Sequence, residues 1–157
     1  MKNKLFAVVF LCVGLTSCTV APAPRQIVNS FPIDKTFDQV WTAVIETLSD
    51  LSLPIMNIEK ASGLITTDFI SFQGQTNEDY CDCGTPGAFM TEIDRRGKFN
   101  VFVKRISDNS CEIKINSVFD RTVTNSLDKF SRPVTNPCVS TGKLEANIYK
   151  LITEKIK

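Results

Sequence analysis

The chain has 157 residues, with 18 Lys and Arg against 17 Asp and Glu and a formal net charge of +1. That balance gives no basis for a nucleic-acid partner or for electrostatic attachment to an anionic surface. Histidine is absent, which removes the commonest general base and metal ligand and excludes Ser-His-Asp and Cys-His catalysis in their usual forms.

The first element is a leader. Lys2 and Lys4 precede an apolar run from Leu5 to Leu15, which ends in Leu15-Thr16-Ser17-Cys18. About eleven apolar residues are too few to span a bilayer, which takes about twenty. The layout resembles the lipobox of bacterial lipoproteins. The resemblance implies that residues 1–17 are cut away and that Cys18 receives a diacylglycerol and fatty chains such as palmitate. Each buried methylene contributes about 0.8 kcal/mol, so more than one chain anchors stably. Removal of 1–17 leaves 140 of the 157 residues, enough for one domain with a real core, and shifts the net charge from +1 to −1 as Lys2 and Lys4 depart. Residues 18–26, with Val20-Ala21-Pro22-Ala23-Pro24, read as a lipidated tether. Thr19, rather than Asp, favours the outer membrane by resemblance to Gram-negative lipoproteins. A periplasm-facing site follows, or the cell membrane if the organism lacks an outer one.

Residues 27–157 read as one domain. Arg25 to Phe31 suggests a short strand ended by Pro32. Thr36 with Gln39 forms a capping-box signal for a helix. Behind it Phe37, Val40, Trp41, Val44, Ile45, Leu48 and Leu51 make an apolar stripe over about four turns. Ile55–Lys60 and Leu64–Phe72 read as a hairpin about Gly63, which should supply a positive φ. The segment from Gln73 to Asp94 shows no period and reads as a long loop. Its Glu78, Asp79 and Asp82 read as a solvated acidic cluster rather than a metal site.

Phe99, Val101 and Val103 begin an alternating strand. Asp108-Asn109 turns it into a second, in which Cys111, Ile113, Ile115, Ser117 and Phe119 share a face. Arg121 to Pro137 reads as a polar connector. Ser140 or Thr141 should cap a closing helix with Leu144, Ile148, Leu151 and Ile152 on its apolar stripe. Ser140-Thr141-Gly142-Lys143 lacks the earlier glycine of a phosphate loop and reads as a helix start. The economical packing is a two-layer α+β domain with both helices on the apolar face of an antiparallel sheet.

Beyond Cys12 in the leader and Cys18, four cysteines remain: Cys81, Cys83, Cys111 and Cys138. Outside the cytoplasm such a set reads as disulfides. Cys81 and Cys83 flank one residue, and a bridge between them would be strained. Two connectivities survive: Cys83–Cys138 with Cys81–Cys111, which is preferred, and Cys81–Cys138 with Cys83–Cys111. A four-thiolate zinc site has the wrong spacing for Cys-x-x-Cys knuckles. No metal or cofactor is expected.

Phe37-Asp38-Gln39-Val40-Trp41 and Ile58-Glu59-Lys60-Ala61-Ser62-Gly63-Leu64-Ile65 resemble the helix-grip domain of the BamC family, lipoproteins of the outer-membrane β-barrel assembly machine. The resemblance implies a long N-terminal helix on a curved antiparallel sheet. BamC has two such domains, and this chain has room for one. The function expected is that of a non-enzymatic envelope lipoprotein with a protein-interaction domain. The alternative is a carrier of a lipid or other apolar small molecule, with Trp41, Phe69, Phe99, Phe102 and Phe119 lining a groove between helix and sheet.

Overall fold

A computed structural model describes residues 20–72, 80–128 and 130–156. In chain order the elements are β1 (Ser30–Ile33), α1 (Phe37–Asp50), β2 (Ile55–Glu59), β3 (Leu64–Thr67), β4 (Ile70–Ser71), β5 (Cys81–Asp82), β6 (Met90–Ser107), β7 (Ser110–Asn125), β8 (Val134–Ser140) and α2 (Lys143–Lys155). The strands form one antiparallel sheet ordered β2-β3-β6-β7-β8-β5. β1 pairs beside one half of β7 and β4 beside β6.

The expected α+β domain with a long N-terminal helix is corrected by this architecture. The molecule is mostly antiparallel sheet, and its helices have only 14 and 13 residues. α1 begins where expected, with Thr36 and Gln39 forming the reciprocal capping box. It stops at Asp50 because Leu51 caps it, Ser52 takes a left-handed φ of 51° and Pro54 follows. A 14-residue helix is about 21 Å long, whereas an 18-residue strand such as β6 runs about 60 Å. Such a helix spans only part of the hairpin and cannot grip the whole sheet.

The strands gain what the loops lose. β6 starts at Met90, inside the expected loop, and β7 continues to Asn125, inside the expected connector. β8 takes up the end of that connector from Val134, and Pro137 within it sits opposite Asp120. Pro32 lies within β1 rather than ending it. The two-residue turn at Asp108-Asn109 joins β6 to β7. Gly63 turns β2 into β3 at φ 75°, and its carbonyl accepts from the Val103 N–H at 2.8 Å.

Odd-numbered residues from Gly97 to Val103 and from Cys111 to Val123 point inward, as strand alternation requires. Both helices pack on this face and against each other. Val40, Val44, Leu48 and Ile152 meet Val101, Val103, Ile113 and Ile115 there, all buried. α2 starts at Gly142, in the left-handed region, rather than at Ser140 or Thr141. Ser140 instead ends β8, and its hydroxyl accepts from the Gly142 N–H at 3.0 Å.

Candidate functional site

The residues with chemistry gather where β5 meets β8. Pairing of Cys81 with Ser140 and of Asp82 with Val139 carries Cys83 opposite Cys138. Those two are joined in a disulfide that spans 55 residues of chain. Cys81, on the same face, lies with its Sγ 3.8 Å from that of Cys83. All three sulfurs lie within 4.8 Å of one another.

The preferred second bridge, Cys81–Cys111, is not formed, and both residues are buried free thiols. The reason is position on the sheet. Cys111 pairs with Ile33 and Arg105 at the turn end of the hairpin, whereas Cys138 pairs with Phe119. From Cys111 to Phe119 is about 26 Å along β7, far beyond the roughly 6 Å between the α-carbons of a bridge. For the same reason the four cysteines do not converge on one ion.

Burial pushes the Cys81 thiol above its usual range, with the Arg95 guanidinium acting in the opposite sense. Burial also raises Cys111. A thiolate at Cys81 would stand within reach of the disulfide, and burial disfavours that thiolate.

The segment that precedes β1 docks on the same corner. Val20 pairs antiparallel with Thr85, whose N–H donates to the Val20 carbonyl at 3.0 Å. Arg25 reaches Asp82 at 3.2 Å. Gly84 makes this approach workable. Its φ is 67°, and a Cβ there would sit 2.0 Å from the Val20 oxygen. The Gly84 N–H donates to Asp82 Oδ1 at 2.9 Å, and its carbonyl accepts from Arg121 Nη1 at 2.9 Å. The Gly84 N–H, and then Arg25, hold the Asp82 carboxyl below its ordinary value of 3.8. Arg121 is buried on the inward face of β7, beside the open hollow of about 500 Å3 that Val20, Pro22, Met90 and Val134 also line.

A third polar group lies under the start of α2. Glu145 is fully buried and accepts from Ser140 at 2.9 and 3.0 Å and from Ser117. Its place in the first turn also suits the positive end of the helix. It ties α2 to β7 and β8.

The expected groove residues separate. Trp41, Phe99 and Phe119 are buried core side chains. Phe69 and Phe102 are only half-buried and are not part of that core. Phe102 is at an even position of β6 and so faces the opposite side of the sheet. Phe69 is stacked beneath Arg96 at 4.6 Å and Lys98 at 4.8 Å. No common space is lined by all five residues.

Sequence reasoning did not single out Gly84, Arg121 or Glu145. A glycine directly after Cys-x-Cys was the available signal for the first. Arg121 and Glu145 look like ordinary surface charges until the strand and helix faces are fixed. The expected lipobox with Cys18, and the acidic residues Glu78 and Asp79, lie outside the described residues. Among the described residues, no helix is long and apolar enough to cross a membrane. No protein-family model matches this chain, and no curated protein matches it.

Proposed function

We propose that this protein is a non-enzymatic, lipid-anchored envelope protein whose β-rich domain acts by binding another envelope protein. The observation that carries the reading is Leu15-Thr16-Ser17-Cys18 behind a short basic and apolar leader. Docking of Arg25 on β5 and of Val20 on Thr85 fits that reading, because it would hold the folded body close to a lipidated Cys18. The sheet offers an edge for a partner. Among the described residues β2 hydrogen-bonds to β3 on one side only, and Met56 and Ile58 are exposed on it. The resemblance of the α1 and β2–β3 segments to BamC is the ground for seeking the partner in outer-membrane protein assembly.

A carrier role is not proposed, because Trp41, Phe99 and Phe119 fill the space between helices and sheet rather than lining an opening. Crosslinking in intact membranes followed by purification tests the binding role. One recurrent envelope protein, lost in a Met56→Asp, Ile58→Asp variant, is the expected result. Recovery of the protein alone with crosslinkers of several lengths contradicts it.

A further inference from the structure

Four large apolar side chains stand in water at one end of the sheet. Phe130 is 97% exposed, Leu127 73%, Phe89 60% and Val134 49%. Leu127 and Phe130 lie on the connector between β7 and β8, and Val134 opens β8. Phe89 directly precedes β6 and is held to this connector, since its carbonyl accepts from the Ser126 N–H at 2.7 Å. Arg132 is exposed among them. Single exposed apolar residues are ordinary, but a cluster on one tip is not.

The N-terminal segment says what covers this tip. Moving backward along it, contact passes from Asp82 at Arg25 to Thr85 at Val20. β8 runs antiparallel to β5, so the same direction leads along β8 from Val139 back toward Val134. Val20 and Val134 in fact line one hollow. The chain therefore enters the domain at the apolar tip. Cys18 lies two residues before Val20, a reach of at most about 7 Å. If Cys18 carries lipid, the bilayer surface lies at this end.

We propose that Phe89, Leu127, Phe130 and Val134 form a second membrane contact, a seat that rests in the interfacial layer of the bilayer and fixes how the anchored domain stands. This rests on the lipoprotein reading above. A lipid surface fits better than a folded partner because the lipid attachment point is within two residues of the docked segment. The exposed arginine at the rim suits headgroup phosphates. The sheet then rises from the membrane, with the β6–β7 turn pointing away and the β2 edge free for a protein partner.

The test uses the full-length lipidated protein reconstituted into phosphatidylcholine–phosphatidylglycerol vesicles, with and without brominated acyl chains. Tryptophan is introduced singly as Phe130→Trp, Leu127→Trp or, at the opposite end of the hairpin, Ile106→Trp, which also replaces an exposed residue. Buried Trp41, present throughout, supplies a constant background. Blue-shifted emission and quenching by shallow bromines are expected at 127 and 130, at the depth of about 5–10 Å typical of interfacial side chains. At 106 the emission should remain that of a water-exposed indole and be unquenched. If the protein floats with the vesicles but 127 and 130 remain unquenched, the seat is overturned and the anchor stands. If the tip is shielded in native membranes but not in protein-free vesicles, it is a protein contact and the seat is likewise overturned. If the intact protein does not float, the lipoprotein reading fails and the seat fails with it.

Discussion

The two ends of the β6–β7 hairpin are held by different means. Toward the turn, α1 and α2 cover the sheet with Val40, Val44, Leu48 and Ile152 against Val101, Val103, Ile113 and Ile115. Toward the open end, among the described residues, neither α1 nor α2 is one of the elements that close the sheet. There the inward face carries Glu92, Arg95 and Arg121, and the corner is closed by the Cys83–Cys138 bridge and the docked N-terminal segment. Apolar packing secures one end. A covalent link and a few directed hydrogen bonds secure the other, beside the proposed membrane surface. Global stability should therefore draw on both ends, and docking of the N-terminal segment on the second alone.

The sharpest break in that contrast should come from the core. Ile115→Ala, in the helix-covered part of the sheet, should destabilise the domain by about 2–5 kcal/mol in urea unfolding, as truncation of buried aliphatic side chains does. Next comes the bridge. Cys138→Ala opens a loop of 55 residues and should cost roughly 4 kcal/mol by the chain-entropy estimate. Reduction of the wild type should produce a similar loss and have little further effect on the variant. Equal sensitivity of the variant to reductant would place a different bridge in control.

Local effects should be smaller. Gly84→Ala forces a side chain into a left-handed conformation at a cost of about 1–2 kcal/mol and collides with Val20. It should expose the 20–26 segment to limited proteolysis while leaving the core transition cooperative. A variant as protected as the wild type would remove Gly84 from the docking.

The smallest effect expected is on pH. The folded Asp82 carboxyl titrates below 3.8, so its contribution to docking is present above that value. It is lost as pH falls through the folded value. Protease sensitivity of the segment should rise only in that acid range, and Asp82→Asn should show the raised sensitivity already at neutral pH.

These regions also differed in how far the sequence revealed them. α1 was legible because its stripe repeats at helical spacing and Thr36 with Gln39 marks its start. The inward positions of β7 from Cys111 to Phe119 were legible because they alternate cleanly. The open end was not. A register shift between Glu92 and Asp94 breaks the alternation of β6. The inward positions beyond it carry Arg95 and Arg121, which look solvent-facing in a linear chain. In β8 the exposed Thr135 and Pro137 concealed a strand, in which Thr135 meets Thr122 across the ladder at 3.0 Å. The cysteine pairing required the register, since only that separates Cys111 from Cys138. Leu127 and Phe130 lay unremarked in the expected connector until the strand bounds placed them at the open end of the β6–β7 hairpin.

The proposed attachment of this domain to a bilayer through Cys18 is tested most directly by intact mass analysis of the protein extracted from membranes. A lipid-anchored protein gives a chain beginning at Cys18, with added mass for a diacylglycerol and fatty acyl groups. A chain that still begins at Met1, or an unmodified Cys18 on protein recovered from the soluble fraction, would contradict it.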